Sequence, residues 1–356
     1  MSRVDVVVPC YKYAHFLRGC VQSVLMQKGV DVRVLIIDDC SPDDTPQVAA
    51  QLLAEDPRVE YRRHQANQGH IATYNEGLLE WADGDYCLLL SADDMLTPGA
   101  LNRAARVMGT RSEVVMTYGR GFWTADPELE LPQTLDTYDW NVIDGEEFIE
   151  RSCVEGGNLV TTPTAVVRTS VQRKLGGYRK ELPHTGDMEM WLRLAAHGSI
   201  GFVDTYQAFY RTHGQNMYTA YAGPRDLRQR AIAFDVLFDE HRSRMCNPDR
   251  LRALSRNSLA WAAFWAGMAF FDRGELEASR ECHGLAMEFY PAIRRSASWW
   301  KFRCKQVIGP RLSGRLRRVA ARIRHRRHAF PELPATTDTQ PSANIIPPVP
   351  FPGGAQ

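Results

Sequence analysis

Residues 4–39 read VDVVVPCYKYAHFLRGCVQSVLMQKGVDVRVLIIDD. The two β-branched runs in this stretch, residues 4–8 and 32–37, are typical of parallel strands that are buried on both faces. Between these runs Leu17, Val21 and Val24 recur at helical spacing. The stretch therefore predicts a strand, a helix and a second strand, which is the repeating unit of an α/β fold.

The same alternation continues toward the C-terminus. A helix is predicted over residues 46–53, a strand over 59–61, a helix around Ile71 and Leu78, and a buried strand over 85–90. This order predicts a doubly wound sheet with right-handed crossovers. Residues 110–215 continue as mixed α and β structure, and from about Arg225 only helical patterns remain.

Length, composition and charge limit the class of protein. The chain has 356 residues, 44% of them hydrophobic and 24% charged, which is the composition of a globular protein and not of a disordered one. The net charge of +1 excludes an electrostatic affinity of the whole chain for nucleic acid. The eight cysteines lack metal-site spacing, and no secretory or membrane-spanning stretch is evident, so a cytoplasmic protein is predicted.

Polar residues follow each predicted strand at its carboxyl end, where ligands bind in open α/β sheets. One of these sites is Asp93-Asp94, which closes a hydrophobic strand. Two desolvated carboxylates repel each other, and a divalent cation such as Mg²⁺ or Mn²⁺ with a diphosphate ligand would neutralise them. The alternative is a cap for a helix that begins near Thr97-Pro98.

A second acidic pair, Asp38-Asp39, ends the second predicted strand. Together with the aromatic ring of Tyr11 at the same edge, a carboxylate there is suited to hold a nucleobase. The alternative is a turn that leads into a helix, since Ser41 and Pro42 follow.

A third carboxylate, Asp187, stands at the start of a predicted helix around residues 188–197. It could cap that helix. If it projects toward a bound diphosphate, it could instead act as a general base that takes the proton of an attacking hydroxyl group.

Several short motifs occur in one order along the first 215 residues. They are Val6-Val7-Val8-Pro9-Cys10-Tyr11, Ile36-Ile37-Asp38-Asp39-Cys40-Ser41, Asn67-Gln68-Gly69, Asn75-Glu76-Gly77, Ser91-Ala92-Asp93-Asp94, and Gly176-Gly177-Tyr178 with Trp191-Leu192-Arg193. In this order and spacing the chain resembles family 2 glycosyltransferases of the GT-A fold. The resemblance implies an α/β fold with a nucleotide-binding, doubly wound mixed sheet and an inverting, metal-dependent transfer of sugar from a nucleotide donor, by family habit a UDP-sugar.

The resemblance also implies a role for individual residues. The donor-binding residues would be Pro9, Tyr11, Asp39, Asn67, Gly69, Ser91, Ala92, Asp93, Arg211 and His213, with Pro9, Tyr11 and Asp39 at the nucleobase. Ser91 stands where the family's metal motif has its first Asp, so the metal would depend on Asp93 and Asp94. Gly186 replaces the Glu that precedes the catalytic base, and Asp187 remains as that base.

Two other functions are compatible with the replacement of family acids at Ser91 and Gly186. The chain could be a nucleotide-sugar-binding module without turnover, because Ser91 and Gly186 replace two acids of the family pattern. A sugar nucleotidyltransferase would use a similar sheet, but it would need a Gly-rich basic loop after the first strand, and residues 9–12 read PCYK.

The predicted domains are a catalytic GT-A domain over residues 1–220, an all-helical C-terminal extension over 221–330 and a disordered Pro-rich tail over 331–356. The extension ends in the segment from Arg311 to His328, which has eight arginines and no acid, with apolar residues at helical spacing. This pattern predicts a cationic amphipathic helix that lies on the inner face of an anionic membrane. There the protein would encounter a glycan or lipid-linked acceptor. A solvated or packed helix and a nonspecific RNA-binding patch are the alternatives, and no specific nucleic acid is expected.

Overall fold

The computed structural model describes residues 1–125, 138–214, 216 and 221–309. In its first ninety residues the predicted alternation of strands and helices is present. The first three strands are longer than the pattern suggested, and only the strand predicted over 85–90 is shorter. The strands of the described residues are β1 (Arg3–Cys10), β2 (Asp31–Asp38), β3 (Val59–Arg63), β4 (Tyr86–Leu89), β5 (Met95–Leu96), β6 (Val114–Thr124), β7 (Trp140–Ile143), β8 (Val166–Arg168) and β9 (Ser199–Arg211).

The helices follow the hydrophobic periodicity of the chain. They are α1 (Ala14–Leu25), α2 (Thr45–Glu55), α3 (His70–Asn75), α4 (Ala100–Thr110), α5 (Gly145–Glu155), α6 (Thr169–Leu175), α7 (Gly186–Ala195), α8 (Pro224–Glu240), α9 (Pro248–Arg273), α10 (Leu276–Phe289) and α11 (Ala297–Ile308). A π-helical turn, Glu76–Trp81, continues α3. Such turns interrupt helices mostly at functional sites.

The strands form one mixed sheet in the order β3-β2-β1-β4-β8-β6-β9-β5, and β7 pairs with β9. β1 runs parallel to β2 and β4, and β2 runs parallel to β3. In register, Cys10 pairs with Asp38 and Asp38 pairs with Arg63. The carboxyl ends of these strands are therefore level, and the residues that follow them lie side by side.

Helices cover both faces of the sheet, as the doubly wound pattern predicts. In β1, Val6 and Val8 point into a core with α1, α2 and α4, whereas Val7 points into the core on the opposite face. This alternation follows from the two-residue period of a strand. Burial on both faces of the sheet explains why Val6, Val7 and Val8 are all apolar.

One predicted helix start differs in the structure. The residue before α4 is Gly99, in the left-handed region with φ of +76°, and the helix begins at Ala100 and not at Thr97. Thr97 instead donates its hydroxyl hydrogen to the carbonyl oxygen of Tyr206. The β5–β9 pairing holds Thr97 outside the helix, so the Asp93-Asp94 pair is not the cap of α4.

The C-terminal helices share a core with the sheet. Phe234 of α8 and Phe264 of α9 are buried in the same cluster as Phe148 of α5 and Trp191 of α7. Residues 1–310 accordingly form one compact unit. The boundary at residue 220 stays a prediction, and the basic segment Arg311 to His328 and the tail 331–356 lie outside the described residues. None of the described helices has the length and apolar character needed to cross a membrane.

Candidate functional site

A cavity of about 530 Å³ opens at the carboxyl ends of β1, β2 and β4. Of the predicted donor, metal and base residues, those that line it are Pro9, Tyr11, Asp39, Asn67, Gly69, Ser91, Asp93, Asp94 and Asp187. Ala92 is fully buried next to them. The three carboxylates that the sequence singled out, Asp39, Asp93 and Asp187, therefore meet in one cavity.

Asp39 is held by the loop that precedes α3. Its carboxylate accepts hydrogen bonds from the backbone N–H groups of Gln68, at 2.7 Å, and Gly69, at 2.8 Å. The side chain of Asn67 donates to the carbonyl oxygen of Asp39 at 3.1 Å. Gly69 has a φ of +84°, which favours glycine and turns the loop toward the carboxylate.

Asp38 and Asp39, at the carboxyl end of β2, have different surroundings. Asp38 faces away from the cavity residues and accepts from the Ser41 N–H, at 2.7 Å, and the Tyr61 hydroxyl, at 2.9 Å. Asp38 thus stabilises the turn, which was the alternative for this pair, while its neighbour Asp39 lines the cavity.

The Asp93-Asp94 pair is buried, with 6% of Asp93 and 4% of Asp94 exposed. Burial, and then the neighbouring charge of Asp93, raise the pKa of Asp94 well above its ordinary value. Oδ1 of Asp93 is buried and has no hydrogen-bond partner within the described ranges. Burying a carboxylate oxygen without a partner costs free energy unless a cation or a hydrogen-bond donor binds it.

Arg211 and His213 hold this pair from the end of β9. The backbone N–H of Arg211 donates to Asp94 Oδ1 at 3.0 Å, and its Nε donates to the carbonyl oxygen of Asp93 at 2.9 Å. Nε2 of His213 lies 2.9 Å from Asp93 Oδ2. The structure therefore places both predicted residues against the acidic pair.

Asp187 is the second residue of α7 and is half-buried at the cavity wall. Its Oδ2 accepts from the Thr162 hydroxyl at 2.7 Å and from the Asn158 amide at 3.0 Å, and its Oδ1 accepts from the N–H of Met188 at 2.7 Å. Burial raises the pKa of Asp187, and the hydrogen bonds from Thr162 and Met188 offset part of that rise. A helix cap accepts from a residue two or three positions further on, so these contacts do not have the pattern of a cap.

Sequence reasoning missed several residues of this site. Thr162 and Asn158 come from the turn after α5, where the only signal was the run Gly156-Gly157-Asn158. His184 also lines the cavity, with its Nε2 3.0 Å from Oδ1 of Asp226 on α8. The helices after residue 221 thus support the wall of the cavity.

Comparison with known proteins assigns the family. A family model described as Glycosyl transferase family 2 matches residues 5–173. Residues 5–173 belong to glycosyl transferase family 2. This family 2 domain extends from β1 to β8 and includes α1 to α5, and it contains the predicted donor and metal residues as far as Asp94.

Three curated relatives match parts of the chain. The chain is 28% identical over 209 residues (56% of this chain, 64% of the relative) to an uncharacterized protein of Mycobacterium tuberculosis. It is 36% identical over 213 residues to chondroitin synthase of Pasteurella multocida, and this match covers 60% of this chain and 21% of the relative. It is 32% identical over 149 residues to the succinoglycan biosynthesis protein ExoO of Rhizobium meliloti, and this match covers 38% of this chain and 42% of the relative. The chain spans less than two thirds of the length of each of these relatives.

Solved structures match the fold over most of the chain. TarS of S. aureus in complex with UDP-GlcNAc covers 82% of this chain and 92% of its own, with a TM-score of 0.53 at 16% identity. The mannosyltransferase PcManGT of Pyrobaculum calidifontis, in complex with GDP-Man and Mn²⁺, covers 86% of this chain and 84% of its own, with a TM-score of 0.50 at 15% identity. The predicted GT-A fold around the family 2 domain is confirmed.

Proposed function

We propose that the chain is an inverting glycosyltransferase that moves a sugar from a nucleoside diphosphate to a hydroxyl group of a glycan or lipid-linked acceptor. The observation that carries the proposal is the meeting of Asp39, Asp93 and Asp187 in one cavity of about 530 Å³. Small-molecule sites have volumes in this range and a few convergent polar groups. Because TarS binds UDP-GlcNAc and PcManGT binds GDP-Man, a nucleotide sugar is the natural donor class.

Asp187 is proposed as the base. Inversion needs one displacement at the anomeric carbon, so one carboxylate that takes the proton of the acceptor hydroxyl is sufficient. The raised pKa of Asp187 supports this role, because a base is more effective when its pKa approaches the working pH. Thr162 and Asn158 orient the carboxylate in the place of the missing Glu at Gly186.

A divalent cation, Mg²⁺ or Mn²⁺, fits the residues at Asp93 and Asp94. The buried Oδ1 of Asp93 lacks a hydrogen-bond partner in the described part of the chain and is available to a cation. No group of three or more His, Cys, Asp or Glu side chains is arranged for a metal among residues 1–125, 138–214, 216 and 221–309. Two carboxylates suffice for a cation that also takes water and phosphate oxygens. When bound, the cation would stabilise the charge that develops on the leaving diphosphate.

The experiment that tests the function compares wild type with Asp187→Asn, using UDP-GlcNAc and GDP-mannose with Mn²⁺. We expect the variant to keep nucleotide binding, measured by thermal shift, and to lose donor turnover by at least about 100-fold. Asp249→Asn, on the exposed start of α9, is the matched control and should keep full turnover. A wild-type protein that binds a donor without turning it over would be a binding module, and a variant as active as wild type would remove Asp187 from the mechanism.

We also propose that the segment from Arg311 to His328 contacts an anionic membrane. The support is its sequence, eight arginines without an acid, since the segment lies outside the described residues. Full-length protein should sediment with phosphatidylglycerol-containing vesicles and not with phosphatidylcholine vesicles. Absence of sedimentation with both would favour a solvated helix.

A further inference from the structure

His64 is a buried histidine that the proposed chemistry does not use. It follows the last residue of β3, and its backbone N–H donates to the carbonyl oxygen of Asp38 at 2.9 Å. Because β2 and β3 are paired so that Asp38 faces Arg63, the next residues, Asp39 and His64, lie side by side. Only 8% of His64 is exposed.

Both ring nitrogens of His64 contact a carboxylate. Nδ1 lies 2.7 Å from Oδ1 of Asp39, and Nε2 lies 2.8 Å from Oε2 of Glu76, the first residue of the π-helical turn. An ionised carboxylate accepts hydrogen bonds and cannot donate them. The two contacts are hydrogen bonds at the same time only if both nitrogens carry a proton. The geometry is therefore that of an imidazolium ion between two carboxylates.

The two arginines that precede His64 each pair with a neighbouring carboxylate. Arg62 pairs with the second oxygen of Glu76 at 3.2 Å, and Arg63 pairs with Asp38 at 3.2 Å. Burial opposes the charge on His64, but the hydrogen bonds to Asp39 and Glu76 outweigh it and raise the pKa of His64. The protonated form is thus supported both by contacts and by charge.

We propose that His64 is a positioning residue for nucleotide binding, which as an imidazolium ion fixes the carboxylate of Asp39 at the wall of the cavity. The backbone N–H of Gln68 donates to the same oxygen, Oδ1, and the backbone N–H of Gly69 donates to Oδ2. His64 ties this arrangement to the π-helical turn through Glu76. The inference rests on the proposed function, because it takes Asp39 as the residue that accepts from the nucleobase.

A coupling between proton and nucleotide follows from this arrangement. When His64 loses a proton, one ring nitrogen presents a lone pair to a carboxylate oxygen, and one of the two contacts must open. Asp39 then loses the charge of the imidazolium ion, and it also loses the hydrogen bond where Nδ1 is the nitrogen that gives up the proton, so nucleotide affinity falls as the pH rises through the pKa of His64. By linkage, bound nucleotide raises that pKa in turn.

The test is titration calorimetry of UDP-GlcNAc and GDP-mannose with Mg²⁺ between pH 6 and 8, where the uracil and guanine rings keep their protons. The diphosphate of these compounds is esterified at both ends, so its charge stays constant over this range. Wild type should bind about 5-fold more weakly at the high end, a typical coupling. His64→Gln should bind more weakly than wild type at low pH and should not lose affinity as the pH rises. His197→Gln, which alters a histidine beyond the C-terminal end of α7, should behave as wild type.

A second variant separates positioning from a general effect on folding. Glu76→Gln keeps a hydrogen-bonding group but removes one of the two charges that hold the proton, so the fall in affinity should move to lower pH. Thermal unfolding checks that each variant is folded. If wild type binds a nucleotide with pH-independent affinity, or if His64→Gln keeps the dependence, the inference is overturned. If wild type binds neither nucleotide, the proposed function itself fails.

Discussion

Oδ2 of Asp187 accepts two hydrogen bonds, from Thr162 and Asn158, that come from a turn 25 and 29 residues earlier in the chain. Both donors favour the ionised carboxylate, against the burial that raises its pKa. The balance between them would set the pH above which Asp187, the proposed base, is ionised. At the scale of the residue, the proposed function therefore makes the working pH depend on Thr162 as well as on Asp187.

Replacing Thr162 by Val removes the hydroxyl donor and should raise the pKa of Asp187 further. Because the base works only when ionised, its activity is present above that pKa and is lost as the pH falls through it. The acid limb of the pH–rate profile should move to higher pH by about one unit, the worth of one hydrogen bond to a charged group. Thr162→Ser keeps the donor and should leave the acid limb in place. An acid limb that does not move in Thr162→Val would contradict this positioning.

At the scale of the element, α5 begins at Gly145, which lies against the C-terminal end of α7. A Cβ atom on Gly145 would lie 1.9 Å from the carbonyl oxygen of Ala195 and 2.6 Å from that of Gly198. These are backbone atoms at the C-terminal end of α7, so they cannot turn away as a side chain could. Close approach of the two helices thus sets the position of α7, which carries Asp187 at its other end.

Gly145→Ala should therefore lower the free energy of unfolding by about 1–3 kcal/mol, the usual cost of overpacking. Gly284→Ala is the matched control, because Gly284 lies within α10 and a Cβ atom there meets nothing within 4 Å. This control should raise the free energy of unfolding by about 0.5–1 kcal/mol, since alanine favours a helix. Both values are measured by urea denaturation. Equal stability of the two variants would mean that the helix contact is not tight.

At the scale of the whole molecule, the helices after residue 221 complete the core on one face of the sheet. Phe234, Leu237 and Phe264 are buried with Phe148 and Trp191, which belong to the helices that precede them. Asp226 of α8 also holds His184 at the cavity. Removing these helices would uncover apolar side chains of α5 and α7.

A chain that ends at residue 223 should accordingly aggregate or unfold, because it exposes this apolar face to water. A chain that ends at residue 310 should keep the compact unit and unfold at the same urea concentration as the full chain. Size-exclusion chromatography and urea denaturation distinguish the two. A soluble, cooperatively folded fragment 1–223 would show that residue 220 is a true domain boundary.

The parallel half of the sheet could be predicted from the sequence because its strands are buried on both faces and appear as continuous apolar runs. The acidic ends of β2 and β4, and Asp187, could also be identified, since carboxylates next to such runs are unusual. The predicted start of α4 near Thr97 was wrong, because the pairing of β5 with β9 overrides the capping signal at Thr97. Local patterns do not contain such long-range pairings.

The sequence alone predicted the order of strands and helices in the first ninety residues, the family resemblance and the principal carboxylates, because each depends on neighbours close along the chain. The tertiary structure placed Asp39 at the cavity, as the resemblance implied, and it decided which groups surround each acid. The partners of Asp187 and His64 come from separate elements. Their contacts depend on strand register and helix packing, which join residues that are distant in sequence.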